Sequence, residues 1–254
     1  EGSFVPSPES RHVPTDSSVK PRAPLPRVPP GWFRQVLIVA RKDLRIELAT
    51  GEVVTTSGFF AVLVAIVASI SFFAGQDARR EIAPGALWVS ISFASVLALS
   101  RTWQRERDDG ALRGLLVSPL SPSAIFLGKA IGVAVFVTIV ELLVVPVVAL
   151  FFSIDLSSDG PAMLALLAAA TPGIAASGTL FGAMTVRTRA RDLVLASVLL
   201  PLVAPSLLAG VAGTRALFTG ASFAELGDYF VLMGVFGFVF VAGGLGLFES
   251  VLEG

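Results

Sequence analysis

Residues able to do chemistry are scarce in this chain, and their types narrow what it does before any element is placed. There is no cysteine, and the single histidine, His12, lies in a polar tail. Disulfides, thiol nucleophiles and Cys-ligated metals are thereby excluded. Three features remain. The first is Gly128-Lys129 in "SPSAIFLGKA". A phosphate-cradling loop needs G-x-x-x-x-G-K-[ST], whereas Ser123 stands at the first glycine position and Ala130 at that of the magnesium-binding hydroxyl. ATP hydrolysis is therefore not expected from this chain, and Lys129 reads as a snorkelling anchor at a membrane interface. The second is Glu141, an isolated acid in the middle of an apolar run, one turn before Pro146. A carboxylate at that depth costs roughly 2.5–3.5 kcal/mol, so it is expected to face a helix bundle or a polar cavity. It then hydrogen-bonds an adjacent helix or the backbone loosened by Pro146, or it changes partner as the bundle moves. The third is "RTWQRERDDGALRGLLVSP", Arg101–Pro119, whose charges are Arg101, Arg105, Glu106, Arg107, Asp108, Asp109 and Arg113.

The elements that must position these residues follow from composition. Of 254 residues, 54% are hydrophobic and 15% charged, with zero net charge. Soluble domains average about 25% charged residues, and a nucleic-acid binder needs a concentrated basic surface. The pattern is that of an all-α polytopic membrane protein. Six runs are long and apolar enough to span a bilayer: Gly58–Ala74, Pro84–Ser100, Ala124–Phe152, Ala162–Val186, Leu193–Ala212 and Tyr229–Phe248. They do not alternate apolar and polar residues as barrel strands do. Pro146, "TPG" at Thr171–Gly173, Pro201 and Pro205 are expected to break or kink their helices. Glycines Gly234, Gly237, Gly243, Gly244 and Gly246 mark close helix packing in the sixth run, within the bundle or at a dimer seam.

Orientation follows from the cations outside the spans. Arg34, Arg41, Lys42 and Arg45 precede the first; Arg101, Arg105, Arg107 and Arg113 follow the second; Arg187, Arg189 and Arg191 follow the fourth. The opposite loops hold Arg79, Arg80 and Arg215. Both termini are expected on the cytoplasmic side.

Three segments lie outside the spans. Residues 1–31 carry eight prolines, lack an apolar signal-peptide core and read as a disordered tail without an assigned function. In 32–49, Phe33, Val36, Leu37, Ala40, Leu44 and Leu48 form a helical apolar stripe, with Arg41, Lys42 and Arg45 nearby. Such a helix lies in the membrane interface with its cations at anionic head groups, or packs beneath the bundle. In 101–119 a helix would pair Arg105 with Asp109 and Asp109 with Arg113, beside a patch of Leu112, Leu115 and Leu116. It is either a solvated hairpin that sets topology or a docking helix for a cytoplasmic partner. Its acids favour docking, because they add little to the positive-inside effect.

Several of these stretches carry a family resemblance. "RKDLRIELAT", "ERDDGALRGLLVSPLSPSAIFLGK", "VELLVVPVVALFF", "RARDLVLASVLLPLVAPSLLAG" and "LFESVLEG" resemble the permease family of the Ccm cytochrome c maturation haem exporter, its B component, in order and spacing from about Ala40 to Gly254. The resemblance implies an ABC-2-type exporter permease in the bacterial inner membrane. The loop Arg105–Leu116, around Glu106–Gly110, would be the coupling helix. The implied partners are a separate cytoplasmic ATPase that binds ATP, a second permease copy, haem-handling subunits C and D and, indirectly, a periplasmic haem chaperone. Haem would be the substrate handled rather than a bound cofactor. Haem iron takes His, Cys, Met or Tyr, and the spans offer Met163, Met184, Met233 and Tyr229, which read as packing or interface residues. That shortage favours ATP-driven release of a haem-loaded chaperone over passage of haem through this chain. The alternatives are an exporter of lipid, polysaccharide or drug, or a non-transporting scaffold. An embedded enzyme would need clustered polar groups at one depth, and only one deep carboxylate is present.

Overall fold

The computed structural model describes residues 30–71, 76–108, 118–185 and 191–253, with the side chains of 76–79, 104–108, 191–196 and 252–253 outside that description. The described residues form helices joined by short turns: α1 Trp32–Thr50, α2 Glu52–Ser71, α3 Gln76–Asp108, α4 Pro122–Phe152, α5 Gly160–Thr185 and α6 Arg191–Phe218. A short 3₁₀ turn, Phe223–Leu226, then leads into α7, Gly227–Glu253. Among the described residues, six helices are long and apolar enough to cross a membrane, α2 through α7. The first begins at Glu52, six residues before the expected Gly58, because Gly51 adopts the left-handed conformation (φ 62°) that closes α1 and lets a new helix start at once. Ala74, the expected end of that span, lies outside the described residues.

Proline does not interrupt these helices. Pro84, Pro146, Pro172, Pro201 and Pro205 all sit inside continuous helical segments. Each removes one backbone donor, a loss tolerated where neighbouring helices surround the segment. At the start of α4, Pro122 stands where a missing N–H costs nothing and its fixed φ suits a helix.

α4 is the hub, packed against α1, α2, α3, α5 and α7. α3 also contacts α2, α5 and α6, and α5 packs closely on α7. Glycines set these distances. Trp88 of α3 seats on Gly210 of α6 and donates its indole N–H to Thr214 Oγ1 at 3.0 Å. Further along α3, Leu99 seats on Gly178 and Trp103 on Gly182, both of α5. Phe126 of α4 occupies the notch at Gly244 of α7, and Gly237 of α7 lies against the backbone of Gly173. The glycine row of the sixth span therefore divides. Gly237 and Gly244 pack inside the bundle, whereas Gly234, Gly243 and Gly246 face open space.

The outer surface is apolar, as a lipid-facing surface must be: Phe59, Ile70, Leu150, Leu208, Val231 and Phe238 are all exposed. Met163 and Met233 are buried in the main core and Met184 is exposed, the packing and lipid-facing places expected of them.

Candidate functional site

Asp43 and Lys129 form the most unusual feature of the bundle, an ionic contact sealed from solvent at one end of it. Lys129 is 1% exposed and Asp43 7%. Lys129 Nζ lies 3.4 Å from Asp43 Oδ2 and 5.2 Å from the centre of the Trp103 ring. The second carboxylate oxygen, Asp43 Oδ1, is 3.1 Å from Nζ of the half-exposed Lys42. The carboxylate thus sits between two ammonium groups, one buried and one reaching the surface. The indole face adds a cation–π attraction to the buried one. The expectation of a snorkelling Lys129 is corrected: its head group turns inward because an acid and an aromatic face await it there.

Contacts between the first turns of α1 and α4 place these groups. Trp32 donates its indole N–H to Ser123 Oγ at 3.0 Å, and Gln35 Oε1 accepts the Ser121 backbone N–H at 2.8 Å. These bonds pin the start of α1 to the start of α4. Gly128 then lets α1 approach so closely that a β-carbon there would lie 2.6 Å from Val39 Cβ and 2.8 Å from the Val36 carbonyl oxygen. The two helices consequently run in the same sense, and Asp43 arrives beside Gly132 and Lys129. Substituting Gly128→Ala pushes α1 off α4 and lowers stability by about 1–2 kcal/mol. Denaturant unfolding together with limited proteolysis between α1 and α2 checks this, since detachment speeds cleavage there.

This contact rearranges the expected face of α1. Gln35, Val36, Val39, Ala40, Asp43 and Glu47 are the buried residues. Of the expected stripe, Val36 and Ala40 are buried, whereas Phe33, Leu37 and Leu48 are exposed. In a membrane protein the outside is apolar too, so hydrophobicity alone does not identify the inward face. Polar side chains with a partner in the bundle do. Around the exposed half of α1, Phe33, Leu37 and Leu48 adjoin a sector carrying Arg34, Arg41 and Arg45.

The joint meets the charged loop through α3. Trp103 lies on the last described turns of that helix, and α4 begins three residues after Pro119. Arg101, next to it, is 3.6 Å from Glu52 at the start of α2. Helices α1, α2, α3 and α4 are therefore tied together where the loop leaves and returns. Within that loop, the backbone of Arg105, Glu106, Arg107 and Asp108 continues α3, and their side chains are outside the description. Asp109, Gly110, Leu112, Leu115 and Leu116 lie outside the described residues. At the other end of the bundle Arg80, Glu81 and Arg215 share one small cleft, with Phe218 and Thr219. Arg101 and the pair Arg80/Arg215 thus fall at opposite ends, as the alternation of cations in the sequence requires.

Deeper in α4, Glu141 is 3% exposed and pairs with the neighbouring helix, not with backbone loosened by Pro146. Its Oε1 lies 2.8 Å from Thr171 Oγ1 of α5. Pro146 and Leu142, whose carbonyl it frees, are both turned away from that contact, on the less buried side of α4.

Asp43 and Thr171 are the functional candidates that sequence reasoning missed. The signal for Asp43 was an acid inside the basic run "ARKDLR"; for Thr171 it was a hydroxyl in an apolar span thirty residues beyond an isolated carboxyl.

The arrangement fixes α1, α3 and α4 where the charged loop leaves and returns, and it adds a second buried polar contact between α4 and α5. Fold and site define a multi-pass helical membrane protein. Residues 34–245 match the family model described as CcmB protein, and the chain belongs to that family. It is similar to Heme exporter protein B of Bradyrhizobium diazoefficiens, 28% identical over 182 residues that cover 71% of this chain and 81% of that protein. It is likewise similar to Heme exporter protein B of Pseudomonas aeruginosa, 25% identical, covering 72% and 82%, and to that of Paracoccus denitrificans, 28% identical, covering 71% and 82%.

Proposed function

We propose that this chain is the membrane permease of an ABC exporter that serves haem delivery in c-type cytochrome biogenesis. The observation that carries this reading is the family match over residues 34–245, with relatives named as heme exporters. The protein sits in the bacterial inner membrane with both termini cytoplasmic, so that the sealed joint and the charged loop face the cytoplasm. ATP is bound and hydrolysed by a separate ATPase, two permease copies make the full membrane unit, and two haem-handling membrane proteins complete it.

Arg105, Glu106, Arg107, Asp108, Asp109 and Gly110, with Leu112, Leu115 and Leu116, form the surface on which the ATPase docks. The joint supports this role mechanically. A push on the loop reaches α3 and α4 together, and the Asp43–Lys129–Trp103 contact passes it to α1. The cations Arg41 and Arg45, with the surface-reaching Lys42, keep α1 at anionic lipid head groups, so one side of the joint is held while the other moves. Haem is the substrate handled by the complex, and this chain supplies motion, driving release of a haem-loaded periplasmic chaperone from the haem-handling partner that holds it.

The triple variant Glu106→Ala/Asp108→Ala/Asp109→Ala tests the reading in the reconstituted complex. It inserts and folds as the native chain does, yet retains less ATPase on co-purification, and nucleotide-dependent chaperone release falls at least tenfold. Unchanged ATPase binding and release would reduce the loop to a topology signal. Native complex that binds every partner but shows no nucleotide dependence would make the chain a scaffold.

A further inference from the structure

Away from the joint, a groove of about 410 Å³ runs along α3 between α2 and α6. It is lined by Val64 and Ala68 of α2, Pro84, Gly85 and Val89 of α3, and Val211 of α6. Val89 is 46% exposed, so the groove opens on the outer, apolar surface of the bundle. Gly85 keeps it clear, since nothing lies within 4 Å of the place a β-carbon would take there. Along α3, Phe93, Val89, Gly85 and Glu81 follow one another at four-residue steps on one face, as Phe60, Val64 and Ala68 do on α2. One turn deeper than the lining, Phe60 and Phe93 meet edge to face with ring centres 6.2 Å apart. From Phe93 to Glu81 the helix rises about 18 Å, close to half of a hydrocarbon core about 30 Å thick.

At the mouth the lining turns polar. Glu81 and Arg215 border the groove and also a second cleft of about 240 Å³, which brings in Arg80. All three side chains are exposed. Arginine forks match phosphate oxygens, and a carboxylate accepts hydrogen bonds from an ammonium group. The charges here balance. Arg80 lies near Asp155 of the α4–α5 turn, whose carboxyl is held below its usual range by bonds from Ser157 and also by Arg80. Two cations beside two acids suit a head group that carries both signs better than one with a net negative charge. A porphyrin suits the groove poorly, because its lining holds no His, Cys, Met or Tyr for the iron.

We infer that the groove is a binding site for one phosphatidylethanolamine molecule of the leaflet away from the charged loop. One acyl chain lies over Gly85 between α2 and α6, the phosphate takes Arg215 and Arg80, and the ammonium donates to Glu81. Among the described residues α2 and α6 do not pack closely on each other, so the chain fills a gap that the bundle leaves.

Photolabelling of the full-length protein tests this, in nanodiscs of mixed phosphatidylethanolamine and phosphatidylglycerol. The probe is a trace of phosphatidylethanolamine with a diazirine in one acyl chain. Irradiation should label the peptides that hold Val64 and Val89. Gly85→Leu fills the groove without meeting a neighbour, so it should keep the native thermal midpoint and lose that label about tenfold. Arg215→Ala should lose it by a similar factor. A phosphatidylglycerol probe with the same chain should label the native groove about fivefold less, and Glu81→Gln should abolish the difference. Labelling at the exposed Phe238 of α7 reports ordinary surrounding lipid and should stay constant throughout. Groove label that survives Gly85→Leu would overturn the inference, as would equal labelling of the native groove by the two probes. A native groove that takes no label would belong to another protein surface, and one whose label free haem displaces would belong to a porphyrin.

Discussion

Replacing Asp43 by asparagine should lower the stability of the folded protein by about 3–5 kcal/mol, the usual cost of removing one member of a buried ion pair. The group that loses its carboxylate is Lys129, whose head group is sealed beneath Trp103 and has no path to water without moving α1 or α3. Lys129→Met is expected to cost less. It leaves Asp43 beside Lys42, which is half-exposed and can follow the carboxylate to solvent. The double variant Asp43→Leu/Lys129→Met should recover most of the loss, because well-packed apolar residues of similar volume often match or exceed a buried ion pair. The measurement is a double-mutant cycle from reversible unfolding in mixed micelles, with a coupling of about 2 kcal/mol or more expected for groups in direct contact. A coupling near zero would mean that the two residues contribute independently and that α1 is held by Trp32, Gln35 and Val39 alone. The same variants separate stability from function. If the joint transmits motion, the apolar double variant folds yet shows weakened ATPase-linked release, because apolar packing slides where an ion pair resists.

Gly182→Leu should be nearly as damaging, at about 3 kcal/mol, the upper part of the range for overpacked interiors. The place its β-carbon would take is filled by the Trp103 ring. Trp103 is buried and holds Lys129 from above, so it cannot yield without opening the joint. Gly234→Leu and Gly246→Leu are matched controls, since nothing lies within 4 Å of a β-carbon at either position. Thermal unfolding in detergent and accumulation in the membrane should both drop for Gly182→Leu and stay at the native level for the controls. Equal loss in the controls would show that a surface outside this chain covers that side of α7.

The contrast between these glycines shows what was legible. Six apolar runs of the right length could become nothing else in a bilayer, because a lipid-exposed backbone must satisfy its own hydrogen bonds and a helix does so locally. The alternation of cations between loops and the isolation of Glu141 were visible for the same reason: each is a one-dimensional property of the chain. Which glycines meet a neighbour was not. Gly244 and Gly246 are two residues apart, and only the presence of Phe126 distinguishes them.

Inward faces were illegible on similar grounds. In water the apolar stripe of α1 would mark its buried side, but lipid accepts Phe33 and Leu48 as readily as a core does. The bundle instead claims Gln35, Asp43 and Glu47, and the partners of the first two come from segments far along the chain, Ser121 and Lys129. The sequence by itself determined the helical class, the six apolar spans and the family, all of which depend on local hydrophobicity and motif order. Only the tertiary structure decided that Lys129 turns inward and that Glu141 meets Thr171. Burying a polar group is favourable only when a partner waits at the right distance, and that distance is set by how the helices pack.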